Sequence, residues 1–272
     1  MWKTTRGMSY VIMPVLAAAW VILYWFPDRT KQLWAWTMKP SMTAITMGAG
    51  YMGGAWLFFR VTRNRESYRL VGVLVGAFVF TTLLGVATAI HWDKFNHVHV
   101  SFWAWVVLYV TTPLLLPLLY VKNRVFDPGV AGPEDAPIPG WVRISLTALG
   151  GGQLLFALAL FVRPSLFQDE WPWKLTTLSA RSLAGFASFP AVAYLCFAFE
   201  RRWSALRWPF ETAIAGVTLI AVGAARSTGD FKGGGVTRAW TVGLLVGLVF
   251  LVTVRLVMER RVAKHRRPAS VA

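Results

Sequence analysis

Eight runs of roughly 20 residues, each almost free of charge, constrain this chain more than any other feature. They extend from Met8 to Phe26, Ser41 to Phe59, Leu70 to Ile90, Ser101 to Val121, Ile144 to Val162, Ser182 to Phe199, Trp208 to Ala225 and Ala239 to Met258. Crossing about 30 Å of hydrocarbon at about 1.5 Å per residue takes a helix of this length. In lipid only helices or closed barrels satisfy every backbone amide, and these runs are too long for strands. The pattern therefore predicts an all-α integral membrane protein with eight transmembrane helices. Only Glu211 and Arg255 put charge inside a run, both toward an end. A balance of 56% hydrophobic against 15% charged residues excludes a soluble or disordered chain. Cys196 is the single cysteine, so packing rather than an intrachain disulfide must hold the fold. The first run has span length and no small-residue cleavage site, and so reads as a span rather than a cleavable signal.

Orientation follows from the loops, because cytoplasmic loops retain Lys and Arg. Lys3, Arg6, Arg60, Arg63, Arg65, Arg69, Lys122, Arg124, Arg143, Arg201, Arg202 and Arg207 fall on one side, as does the tail from Arg255 to Arg267. The other side is poorer in basic residues. Both termini are therefore expected in the cytoplasm. The formal charge of +16 is mainly this topology signal, and a nucleic-acid partner is not expected. The basic tail reads as a topology anchor touching anionic lipid, in preference to a docking segment for an acidic partner.

The chain also matches itself at an offset of 137 residues. Trp34-Ala-Trp36 recurs as Trp171-Pro-Trp173, and Pro27, Gly48, Arg65, Asp93, Trp103 and Arg124 pair with Pro164, Gly185, Arg202, Asp230, Trp240 and Arg261. Rare residue types coinciding at span boundaries point to two parallel four-helix repeats, related by an axis along the membrane normal. Residues 1–126 form the first half and 141–272 the second, and a Pro- and Gly-rich cytoplasmic linker, 127–140, joins them. Gly50 and Gly54, Gly72 and Gly76, and Gly243 and Gly247 have the spacing of close helix contacts, expected in the bundle interior or, less readily, at a homodimer face. Pro14, Pro113, Pro117 and Pro190 should kink their spans.

Chemistry has few places to sit. His91, Asp93, His97 and His99 share one outer loop, and imidazoles in that number raise a metal or haem site. Their spacing does not match a helical pair, and interfacial hydrogen bonding is the plainer reading. Trp34, Trp36, Asp169, Glu170, Trp171, Trp173, Arg181 and Asp230 lie on the same side and form a candidate outer binding cleft. Interfacial belts explain most of the 15 tryptophans, although a belt does not require the same Trp-x-Trp spacing twice. Glu211 is a candidate coupling or partner contact, or else a first-turn helix cap. Gln153 beside Gly150-Gly-Gly152 is the other polar interruption.

The stretch Trp171-Pro-Trp173-Lys-Leu-Thr176-Thr-Leu178-Ser-Ala-Arg181 resembles the Trp-Pro-Trp-Pro-Leu-Thr-Pro-Leu-Thr-Ala-Arg signature of uncharacterised polytopic membrane proteins from actinobacteria and related bacteria. Lys174 and Thr177 stand where that signature has prolines, and Ser179 where it has threonine. The resemblance implies a bacterial plasma membrane and no activity. No phosphate-binding glycine loop, His-Glu-x-x-His or Gly-x-Ser-x-Gly occurs, so nucleotide-driven pumping and standard hydrolysis are unsupported. The sequence reading is an accessory subunit of a membrane complex or a small-solute transporter. The alternatives are a metal- or haem-binding membrane enzyme built on the outer histidines, or a receptor using the aromatic loops.

Overall fold

The structure, a computed structural model, describes residues 3–63, 71–127, 130 and 135–266. The basic residues Arg65 and Arg69, linker residues 128–129 and 131–134, and the tail from Arg267 onward lie outside the described residues. The long helices are α1 (Lys3–Trp20, continued by a π-helical turn Val21–Trp25), α2 (Ser41–Arg63), α3 (Val71–Ile90) and α4 (Val100–Arg124), then α5 (Gly140–Val162), α6 (Thr177–Phe199), α7 (Trp203–Arg226) and α8 (Gly234–Arg266). No strand forms among the described residues. Seven of these helices, all except α2, are long and apolar enough to cross a bilayer. Helix α2 is as long as its neighbours, but Ser41, Thr43, Thr46 and four glycines, Gly48, Gly50, Gly53 and Gly54, dilute its hydropathy.

Those small residues are where other chains of atoms come closest. Helix α1 packs on α2, α2 on α7 and α7 on α8; α4 packs on α3, α3 on α6 and α6 on α5. The two rows meet where α2 touches α6. A Cβ on Gly50 would lie 2.5 Å from the Phe186 ring of α6, and one on Gly76 of α3 would lie 2.7 Å from the Phe189 carbonyl oxygen of α6. A Cβ on Gly150 of α5 would lie 2.8 Å from the Ala191 carbonyl oxygen, and one on Gly223 of α7 would run into the Ile45 side chain. Lipid is as apolar as leucine and gives helices no reason to associate, so such close approach and its dispersion contacts do the holding.

Two of the three glycine pairs thus lie in the interior as expected, with Gly54 against Leu16 and Gly72 against Phe197. Gly243 and Gly247 do not: nothing stands within 4 Å of a Cβ at either position. The reason is the rotation of α8, which turns Leu251, Val254, Met258 and Val262 inward and leaves the glycine face outside. Pro14, Pro113, Pro117 and Pro190 lie within helices as read, and Pro209 joins them because α7 begins earlier than its apolar run, at Trp203.

Replacing Gly76 by Leu forces a side chain against backbone that cannot yield, and overpacking of this kind costs about 1–3 kcal/mol or more. We expect its thermal unfolding midpoint in detergent to fall clearly, while Gly247→Leu, in open space, leaves the midpoint within the small range of surface changes. Equal midpoints for the two variants would contradict the packing described for α3 and α6.

Candidate functional site

Loops 26–40, 91–99, 163–176 and 227–233 gather at one end of the bundle, the tryptophan end, and the two Trp-x-Trp segments play the same part there. The carbonyl of the middle residue of each accepts a backbone hydrogen bond from the loop two helices later: Asn96 N–H donates to Ala35 at 2.8 Å, and Lys232 N–H to Pro172 at 2.8 Å. In each copy the second tryptophan stands edge to face on a phenylalanine and a tryptophan. Trp36 lies 5.1 Å from Phe95 and 4.9 Å from Trp105, and Trp173 lies 5.7 Å from Phe231 and 5.4 Å from Trp240, between ring centroids. Trp34, Trp36 and Trp173 are only 7%, 4% and 1% exposed. They are core residues that pin the loops, and their rings are not available to line a cleft.

The other residues of the expected outer cleft are dispersed. Asp169 and Glu170 are exposed, and Trp171 is half-buried with its indole N–H unpaired. Arg181 donates from Nε to the Phe161 carbonyl at 3.0 Å and from Nη1 to His91 Nε2 at 2.7 Å. Asp230 accepts from the Met42 N–H at 2.7 Å, so a loop of the second half caps α2 of the first. Trp173 adds a hydrogen bond from its indole to Thr43 Oγ1 at 3.0 Å.

The three histidines are engaged separately. His91 binds Arg181, His97 pairs through Nε2 with the Trp92 carbonyl at 2.9 Å, and His99 contacts the Gln32 carbonyl at 2.6 Å through Nε2 and Ser101 at its Nδ1. The last contact caps α4, with the Ser101 N–H donating to Nδ1 at 3.2 Å. Asp93 pairs with its neighbour Lys94 in full solvent, which holds its carboxyl below the usual range. No group of three or more His, Cys, Asp or Glu side chains is placed to hold a metal ion among the described residues. Desolvation and the adjacent Arg181 guanidinium depress the His91 pKa below its ordinary 6.5, the Asp93 carboxylate opposing them. A neutral His91 accepting at Nε2 carries its proton on Nδ1.

At the opposite, arginine end the structure assembles a charged network. Glu211 lies in the third turn of α7, not the first, because the helix starts at Trp203. Its carboxylate takes Arg60 of α2 at 2.7 Å and Arg255 of α8 at 2.8 Å. Arg255 also reaches Glu259 at 3.5 Å, and Glu259 binds Arg207 at 2.7 Å and the Trp203 indole at 3.1 Å. The Arg60 guanidinium sits between the Trp56 and Trp208 rings, 5.3 Å from each centroid. Nearby, Arg202 is held by Glu200 and Asp127, and these hydrogen bonds push its pKa further up. Sequence reasoning took Arg60 and Arg207 as topology markers only. The i, i+4 spacing of Arg255 and Glu259 was the available signal; the third partner on α2 had none.

No protein-family model, curated protein or solved structure matches this chain.

Two outcomes follow from these ends. Glu211→Ala leaves Arg60 and Arg255 without their shared carboxylate in a partly dry site, a change worth about 3–5 kcal/mol when a buried pair is broken and less here because the groups are partly exposed. We expect a lower unfolding midpoint, recovered in part when Arg60→Leu is added; an unchanged midpoint would show that the network carries no stability. For His91, the folded state binds its proton less readily than the unfolded state, whose pKa is about 6.5. Stability contributed by the neutral ring is complete above about pH 6.5 and is lost as pH falls toward the lower folded value. Unfolding midpoints measured from pH 7.5 to 5 should decline, and less steeply in His91→Gln.

Proposed function

We propose that the protein is an eight-span integral membrane protein of two parallel four-helix repeats, with both termini cytoplasmic, serving as an accessory subunit of a membrane complex. Support for the repeat comes from the helix pairs: exchanging α1–α4 with α5–α8 turns α1 on α2 into α5 on α6, α3 on α4 into α7 on α8, and α2 on α7 into α6 on α3, all of them pairs that occur. The duplicated hydrogen bonds to Ala35 and Pro172 support it independently. Helix α2 is read as a span because it matches its neighbours in length, packs on α1, α6 and α7, and buries Thr43 and Thr62.

The observation that carries the subunit reading is the filled seam between the halves. On the first-half side, Tyr51 of α2 and Tyr109 of α4 are buried and share a hydrogen bond at 2.7 Å, and across the seam the second-half ring of Phe186 lies 5.1 Å from Tyr51 and 4.9 Å from Phe80. Where two parallel repeats meet, a transporter places its substrate; here large aromatic side chains occupy that place. A scaffold needs such a solid centre and offers its outer helices to partners. A transporter is the second reading. It is favoured by the two locks that cross between halves at opposite ends, His91 with Arg181 and Arg60 with Glu211, which would have to open in turn. The sequence resemblance adds a bacterial plasma membrane as the setting, and the cationic residues of the arginine end suit its anionic lipid, each contributing about 1 kcal/mol near the surface.

Native mass spectrometry after mild-detergent purification from the natural host tests the proposal. A partner retained at fixed stoichiometry is the expected result, and a clean monomer or homodimer would overturn the subunit reading in favour of transport. Reporter fusions after Val130 and Gly235 test the orientation: a cytoplasmic reporter should be active at the first and a periplasmic reporter at the second, and the reverse would invert the topology.

A further inference from the structure

The outer half of the bundle carries an open recess of about 630 Å³ where α5 and α8 face each other across α6 without closing. Gly152, Gln153 and Phe156 of α5, Ala187 of α6, and Trp240 and Gly243 of α8 line it, with no charged side chain among the described residues. Two features separate it from an ordinary lipid-filled groove. Gln153 lies in the middle of an apolar span and spends one amide hydrogen on the Ala187 carbonyl at 3.0 Å. Its Oε1 and second N–H have no partner among the described residues, nor has the Trp240 indole N–H, and none of these atoms is enclosed by protein. An unsatisfied polar group is costly at hydrocarbon depth, and the recess presents an acceptor and donors that acyl chains cannot satisfy.

The second feature is that the space is kept open. A Cβ added at Gly152 or Gly243 would meet nothing within 4 Å. At the positions 137 residues earlier, which the repeat makes equivalent, stand Val15, Leu16 and Val106 in place of Gly152, Gln153 and Gly243. The first half has bulk and no polar group where the second has room and an amide. The difference confines the room and the amide to the second half, which is where a ligand would sit.

We propose that this recess binds a membrane-dissolved, uncharged, planar molecule carrying carbonyl or hydroxyl oxygens on an apolar tail, of the quinone type. The absence of charge in the lining matches an uncharged head. Flat walls come from the Phe156 and Trp240 rings and from the glycine surfaces, which suit a ring. Gln153 and Trp240 supply hydrogen bonds to its oxygens, and the tail leaves along the exposed glycine face of α8 toward lipid. The inference goes beyond the subunit role and does not depend on it; only the comparison with Val15, Leu16 and Val106 uses the repeat.

The test is binding of a decyl-substituted benzoquinone to the purified full-length protein in detergent, by isothermal titration calorimetry, with decane and a short-chain phosphatidylcholine as competitors. Wild type should bind one equivalent saturably. Gly152→Leu and Gly243→Leu should weaken binding at least tenfold with unfolding midpoints unchanged, Gln153→Leu should weaken it severalfold, and Gly247→Leu, one turn outside the recess, should leave it intact. No saturable binding by wild type would overturn the proposal. So would full affinity in both Gly152→Leu and Gly243→Leu, or displacement by decane or the phospholipid as readily as by unlabelled quinone. Partner retention by Gly152→Leu in native mass spectrometry reads the subunit role separately.

Discussion

Helices dissolved in hydrocarbon gain nothing by hiding apolar faces from their solvent, and this bundle depends on what replaces that force, which is contact close enough for backbones to touch. The seam shows how the requirement is met. Gly50 admits the ring of Phe186, Gly76 admits the main chain beside Phe189, and Gly150 does the same against Ala191, all on the single helix α6. With 61% of its apolar window buried, α6 is the most enclosed of the seven apolar spans, and α2, α3, α5 and α7 all touch it. Its own Pro190 lies between these contacts, so the helix that others measure themselves against is also the one with a missing backbone donor at its centre.

Much of this was legible in the sequence because bilayer thickness acts as a ruler on apolar runs. Every expected span has a helix, and several, α7 and α8 most clearly, begin a turn or more before their apolar runs. That is why Glu211, placed by hydropathy in a first turn, stands in the third. The Trp-x-Trp repeat was visible as spacing, but its use was not. Burial of an indole depends on what the partner loop brings, and Phe95 and Phe231, the residues that receive Trp36 and Trp173, look like any other interfacial aromatics in a linear reading. The histidines follow the plainer of their two readings, interfacial hydrogen bonding, although the partners were not visible in the sequence. Proximity in sequence put three imidazoles in one loop, and the turn then aimed each at a different carbonyl, side chain or guanidinium.

The ends of the bundle differ in the chemistry that closes them. At the tryptophan end, the two halves are joined by single hydrogen bonds, from the Met42 N–H to the Asp230 carboxylate, from the Trp173 indole to Thr43 and from the Arg181 guanidinium to His91 as a neutral acceptor. At the arginine end, the five groups Arg60, Arg207, Arg255, Glu211 and Glu259 carry an excess of one positive charge and tie α2 to α7 and α8. A network of this sort has little use for stability in water. Near lipid it orients guanidiniums that would otherwise seek phosphates singly, and the rings of Trp56 and Trp208 keep Arg60 desolvated on two sides.

Helix α8 has a different lesson. Its 33 residues extend about 50 Å, roughly 20 Å more than the hydrocarbon they cross. The basic residues after Met258 are therefore carried on a stiff mast continuous with the span, not on a tether. Successive side chains turn about 100° around that mast, so Arg260 and Lys264 share one azimuth while Arg261 and His265 share the next. Any contour-following partner or lipid surface meets these side chains as two parallel stripes whose direction is set by how α8 seats on α7. The rotation that left Gly243 and Gly247 facing outward thus also decides where, beyond the bilayer, the tail presents its positive charge.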